Sequence, residues 1–404
     1  MRAWRSAWLF LVLIAFARDA RTRAQSLPPL PRDARSIEVL DDGAYVLVAP
    51  HDGSARRGTL MRGAHLGIRG RVIGDGCSTG SYFAIEPDGF VCGRYVRLSA
   101  AAPDEATTPA ARPLPFEYAV VTVDGTRGYA QPRDADADEY YEAYGAGFGL
   151  AIASHTTYRG QRFARTFRGV FVEEEALRYV SSPEFRGTEI TSTLNVAWVI
   201  AREAIVRNAA RGHEVTRLPR LTEIQLDPAA EGQWLRMQDG TYIAARDVVR
   251  PRLQDRPSEI AENARWVDVN VATQTMVAYE GSRPIFATAV STGRRGAQTS
   301  TPLGLHKVWA KLRTSDMDDL EREDVERNYA MQAVPWVQYF EHSNGFHAAF
   351  WHNRFGERHS HGCVNLSPHD ARWLFDWSTP ALPVGWSAIL PREGEASLWV
   401  RVHE

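Results

Sequence analysis

His359 to Pro368 reads HSHGCVNLSP and holds one of only three cysteines in 404 residues. A thiol beside imidazoles and a glycine admits three fates: an inert buried cysteine, a metal site, or a nucleophile with its base. Cys363 has candidate bases in His342, His347, His352, His359, His361 and His369. His361 lies two positions away, so in extended backbone both side chains leave on one side. His347 lies further upstream, where a hairpin return would bring it alongside. A free thiol near pKa 8.5 is only about 3% thiolate at pH 7, and an imidazole that takes its proton gives a reactive ion pair. Gly362 permits close backbone approach or an unusual φ, which helps aim amides at an oxyanion. Zinc fits poorly, because neither H-E-x-x-H nor a paired C-x-x-C is present and a single thiol is unusual for a structural site. No metal or other cofactor is expected. Inert burial is the commoner fate of a lone cysteine, but the flanks here are small and polar, not an apolar packing run.

The elements around this stretch have readable signals. Downstream, Ser367 reads as a helix N-cap, Pro368 as the first helical residue and Asp370 as the capping-box partner of ARWLFDW. Upstream, DVNVATQTMVAYEG alternates as a hairpin should. Arg313 to Arg327 is acidic and turn-like, predicting a surface loop or short helix. From Ile37 to Ser99 short apolar runs recur at roughly ten-residue spacing between turn residues, predicting a small all-β module at 37–99 that is similar, in general pattern, to bacterial SH3-like domains. Residues 101–115 are poor in large apolar side chains and read as a linker. QWLRMQDGTYIAARDVVRP echoes YFAIEPDGFVCGRYVRL, so a second SH3-like module is expected at 190–252, within a β-rich middle region spanning 116–252. LNVAWVIAREAIVRNAARG fits one helix or two strands equally. The acidic stretch DADADEYYEAYGAGFG lacks ligand spacing and reads as a solvated loop.

Composition narrows the function classes. A formal net charge of −2 offers no field for nucleic acid. Of 47 basic residues only Lys307 and Lys311 are lysine, an arginine bias that reads as genome composition. Arg2 and Arg5 precede the apolar run Trp8 to Ala17, which is too short to span a bilayer but suits a signal peptide over residues 1–24. The expectation is export to the periplasm or cell envelope, with membrane contact only through an uncleaved signal anchor. In an oxidising compartment Cys77 and Cys92, with fourteen residues between them, are a disulfide candidate worth about 3 kcal/mol. Cys363 is then the odd thiol.

SHGCVN at Ser360 to Asn365, upstream His347, and STGRRGAQTSTPLGLHKV at Ser291 to Val308 together resemble the catalytic domain of the L,D-transpeptidases of bacterial cell walls (the YkuD type). That family carries a histidine, a spacer of about a dozen residues, then Ser/Thr-His-Gly-Cys, a hydrophobic residue, and Arg or Asn. Here twelve residues separate His347 from Ser360. The resemblance covers about 264–391 and implies a mainly β, sandwich-like domain with a helix after the cysteine loop. It implies that Cys363 is the acyl-accepting nucleophile and His347 the base, held by a nearby backbone carbonyl. His361 and the amides of Gly362 and Cys363 would help form the oxyanion site, with Ser360 and Asn365 shaping the loop. His352, Tyr339 and Trp351 are candidate substrate contacts. Where the family commonly has Gly or Ser after the histidine, this chain has Ala348, which is harmless if only its carbonyl is used. The implied partners are peptidoglycan stem peptides and carbapenem-type covalent inhibitors; the implied reaction is transfer to an amine. Three alternatives stay open: hydrolysis at the same site as an L,D-carboxypeptidase or cross-link hydrolase, a wall-binding protein that retains the motif, and a papain-like or NlpC-type peptidase. The last usually puts its cysteine before the histidine.

Overall fold

Alternating apolar residues dominate the chain from Ser36 onward, and the computed structural model is mainly β with a single α-helix among the described residues, 29–106, 113–191, 193–318 and 330–404. The apolar run at residues 8–17 lies outside them. No described helix is long and apolar enough to cross a membrane.

The C-terminal part stacks two sheets. In the first, Arg265–Asn270 pairs with Thr275–Glu280 as the alternation required, with Asn270 opposite Thr275. Arg283–Ala289 follows antiparallel. Trp399–His403, beyond the segment 264–391, runs parallel to Arg265–Asn270. The second sheet contains Ala310–Asp318, Ala330–Glu341, Asn344–Ala348, Val364–Leu366 and Trp386–Ile389. Residues 313–318, expected in a loop or short helix, continue a strand paired with 330–337, and residues 319–327 of that stretch lie outside the described region. The inner faces meet in a core of Val267, Val269, Met276, Phe286, Phe340, Phe346, Val364, Leu366 and Val400.

The helix, Pro368–Trp377, lays Leu374 and Phe375 into that core. Its start follows the Ser367 and Pro368 signals, with the Ser367 hydroxyl accepting the Asp370 amide at 3.2 Å; the expected capping box is not completed, because the Asp370 carboxylate accepts instead from the Gly187 amide (2.9 Å) and the Thr288 hydroxyl (2.6 Å). Its end is closed by Lys311, whose buried ammonium donates to the carbonyls of Phe375 (2.7 Å), Ser378 (2.9 Å) and Pro380 (2.8 Å). Three separated carbonyls suit a compact ammonium with three donors better than a planar guanidinium. That is a physical reason for a lysine here in so arginine-rich a chain.

Upstream, one pattern occurs three times: two strands, a 3-10 turn, a short strand. It runs through Ser81–Ile85 to Ser99, Gln161–Thr166 to Tyr179, and Trp234–Arg236 to Val249. The ambiguous stretch after Leu194 forms two strands, Val196–Val199 and Glu203–Arg207, because the chain bends at Ala201–Arg202, where a charged residue interrupts the apolar run. Cys77 and Cys92 form a disulfide in the first unit. That unit is not a bead on a string. Its Arg56–Leu60 strand pairs antiparallel with Trp386–Ile389, and buried Arg57 donates to the Leu390 carbonyl (2.6 Å) while pairing with Glu395 (2.8 Å) and Asp88 (3.3 Å).

Candidate active site

The positions of Cys363 and His347 follow from one short ladder. Asn344–Ala348 and Val364–Leu366 run parallel, with Phe346 opposite Val364 and His347 opposite Asn365. Phe346, Val364, Ala348 and Leu366 are wholly buried in the core. The two-residue period therefore turns His347 and Asn365 to the opposite face, and Cys363 lies in the bend just before the second strand. A parallel pair cannot be joined by a tight turn, so the expected hairpin return is replaced by the loop 349–363. The extended-backbone argument for His361 does not hold, because Gly362 sits at φ 129° and residues 361–363 bend. A Cβ on Gly362 would lie 2.2 Å from the Asn344 side chain.

Hydrogen bonds fix the tautomers. The His347 ring is buried, with Nδ1 3.2 Å from the Ala348 carbonyl. Nδ1 therefore carries the proton and Nε2 keeps its lone pair. Ala348 supplies only its carbonyl, so the missing Gly or Ser costs nothing at this contact. Trp351 stacks on the His347 ring at 5.8 Å and 21°. His352 accepts the Arg354 amide at Nδ1 (3.1 Å), leaving Nε2 to donate, 3.0 Å from the Asn365 side-chain amide. Burial pushes His352 down to about 3, with His359 and His347 adding to the shift, so it is neutral at pH 7. The Asn365 oxygen must then be the atom facing it, and this exchange supplies a partner to an oxygen otherwise left unpaired.

Cys363 is the free thiol among three cysteines and is half-buried. Burial pushes it up to about 11, opposed by the Gly345 amide, and its Sγ lies 3.7 Å from the Ser343 carbonyl. Burial pushes His347 down to about 4, opposed by the Ala348 contact. Both directions favour the neutral thiol and the neutral imidazole and work against a resting ion pair.

The loop amides are also partly committed. Gly362 donates its N–H to the Ser360 hydroxyl (3.1 Å), and Ser360 in turn donates to the Cys363 carbonyl. Ser360 thus shapes the turn, and the Gly362 amide is not offered to an oxyanion in this arrangement. His361 is half-buried and near enough to His359 to lower its pKa, after burial, Arg354 and Arg294. Tyr339 stacks on half-exposed Trp309 at 5.7 Å, and its hydroxyl is 3.2 Å from the Ser315 hydroxyl. The charge that Cys363 would carry helps raise the Tyr339 pKa, after burial. Ser343, Gly345 and Trp309 carry no signal in the sequence; only the strand register reveals them. Among the described residues no cluster of three or more His, Cys, Asp or Glu is arranged for a metal ion.

Residues 264–385 match the YkuD family model, described as the L,D-transpeptidase catalytic domain. That segment, less than a third of the chain, carries a catalytic domain of this family. No curated protein matches the chain. Solved structures that resemble it include an L,D-transpeptidase from Stackebrandtia nassauensis (25% identity, TM-score 0.24), covering 37% of this chain and 58% of its own length. The catalytic domain of the E. faecium L,D-transpeptidase is 21% identical (TM-score 0.26), covering 35% of this chain and 97% of its own. L,D-transpeptidase 3 from Mycobacterium tuberculosis, solved with a faropenem-derived adduct, is 19% identical (TM-score 0.29), covering 44% and 79%. The chain therefore spans little over half of the first of these relatives.

Proposed function

We propose that the chain is an exported peptidoglycan L,D-transpeptidase acting in the periplasm or cell envelope. The observation that carries the reading is the match of residues 264–385 to the family model, supported by the parallel register that sets His347 opposite Asn365, two residues after Cys363. As substrate binds, Cys363 Sγ attacks the carbonyl between the third residue of a stem tetrapeptide and its terminal D-Ala. The thiol proton passes to His347 Nε2, and the same proton leaves on the D-Ala amine as the amide bond breaks. An amine on a second stem then attacks the thioester, gives a proton through His347 to the sulfur, and leaves a cross-link. A resting neutral pair supports general-base transfer during attack in place of a preformed thiolate. The Cys363 amide remains a candidate oxyanion donor, and Tyr339, Trp351 and His352 border the acyl site. The units at 37–99 and 190–252 are read as SH3-like.

Incubating the purified protein with tetrapeptide muropeptides should release D-Ala and yield dimers by mass spectrometry, and a carbapenem should acylate Cys363. Hydrolysis products alone would reject amine transfer and leave a carboxypeptidase. Cys363→Ala should end D-Ala release with the melting temperature within a few degrees of wild type.

A further inference from the structure

The loop 349–363 has little regular structure of its own, yet it carries Trp351, stacked on His347, and His352, hydrogen-bonded to Asn365. Its backbone is held from two sides. From the matched domain, Ser291 Oγ lies 2.6 Å from the Arg354 carbonyl and 2.7 Å from that of Glu357; one hydroxyl proton cannot fully serve both. From the unit at 196–249, Arg220 reaches across with all three guanidinium nitrogens. Nε donates to the Asn353 carbonyl (2.9 Å), Nη2 to the Phe355 carbonyl (2.9 Å), and Nη1 pairs with Glu357 (2.9 Å).

The contact is built, not incidental. Arg220 is aimed by a turn in which Leu221 takes φ 65°, a left-handed conformation unfavourable for a branched side chain. Leu221 is held there by packing against the apolar cluster that includes Trp198 and Phe355 and by its amide on the Val199 carbonyl (2.8 Å). Phe355 is fully buried between the two units and stacks on Phe185 at 5.6 Å. Gly356, at φ 91°, presses so close to the same unit that a Cβ would lie 2.3 Å from Ile200.

We propose that Arg220 is a positioning residue for the acyl-transfer site: it clamps loop 349–363 from the unit at 196–249, so that Trp351 and His352 keep His347 and Asn365 aligned with Cys363. The inference rests on the transpeptidase reading above. The clamp also limits water entry at His347, whose pKa is lowered chiefly by burial.

The test is carbapenem acylation of the full chain, followed by mass spectrometry across concentration and pH. Arg220→Ala should lower the maximal acylation rate about 10- to 100-fold, as a misplacement near 1 Å does, with the half-saturating concentration within about twofold. The acid limb of its pH profile should move upward from near pH 4 toward the ordinary histidine value as water enters. Arg220→Lys, which keeps the charge but cannot serve three acceptors in a fork, should fall between. It also carries the test if the alanine variant unfolds. Arg217→Ala, on the same unit but paired with Glu203 and Glu214 and not with loop 349–363, should acylate as wild type. A wild-type protein that is never acylated sinks the transpeptidase reading itself. Acylation of wild type with Arg220→Ala or folded Arg220→Lys at the same rate and the same acid limb overturns the clamp alone.

Discussion

Alkylation of Cys363 distinguishes a resting thiol from a resting thiolate. Cys77 and Cys92 are bridged, so Cys363 is the one thiol that iodoacetamide can reach. With its pKa pushed up to about 11, the thiolate fraction at pH 7 is about 10⁻⁴, some 300-fold below that of an ordinary thiol near 8.5. The more basic thiolate is intrinsically more nucleophilic by about tenfold at a Brønsted slope of 0.4–0.5, so the net expectation is alkylation roughly 25-fold slower than free cysteine at pH 7. The rate should rise tenfold per pH unit from 6 to about 10, and His347→Ala should change it less than about threefold. Measured by intact mass against time across that range, a plateau between pH 5 and 8 that collapses in His347→Ala would refute the reasoning. It would mean that mutual attraction outweighs burial and that the ion pair exists at rest.

Other outcomes follow from the packing. Asp370 is buried and its carboxyl is pushed up to about 6, with Thr288, the Gly187 amide and Ser367 opposing the shift. Its protonation stabilises the fold fully below pH 3.8 and is lost as pH rises through 6, about 3 kcal/mol in all; Asp370→Asn should flatten that part of a stability–pH curve from urea melts. Arg57→Met should destabilise by about 1–3 kcal/mol, since it takes a donor from the Leu390 carbonyl and one partner from Glu395, which keeps the Arg392 amide; a loss under 0.5 kcal/mol by denaturant melt would contradict that. Reducing Cys77–Cys92 should cost about 3 kcal/mol, read from urea melts with and without dithiothreitol.

Much of the site is legible in the sequence because its chemistry is local. Ser360, Gly362 and Cys363 fall in one short motif, and the Ser367–Pro368 helix start needs only neighbouring residues, whereas the Asp370 carboxylate is taken by distant Gly187 and Thr288. Strand alternation likewise marks the Arg265–Glu280 hairpin. What stays hidden depends on distant partners. The parallel pairing of His347 with Asn365 needs a crossover that no spacing reveals. Arg313–Asp318 looks like a loop because a strand flanked by acidic residues has no clear two-residue pattern. The middle repeat, Gln161 to Tyr179, escapes notice because TFRGVF lacks the Asp-Gly turn that marks the other two. Arg220 is one arginine among many; only its three acceptors distinguish it. The protonation state is equally hidden, since it depends on how much water the folded walls exclude.

Trp386–Ile389 lies between Ala310–Asp318 on one side and Arg56–Leu60 on the other. Severing the first hundred residues would uncover a row of unsatisfied amides and carbonyls along that border, with the Trp386 indole beneath it. A clone beginning near residue 264 should therefore express as sticky, self-associating material, whereas one that keeps the leading strands should stay dispersed.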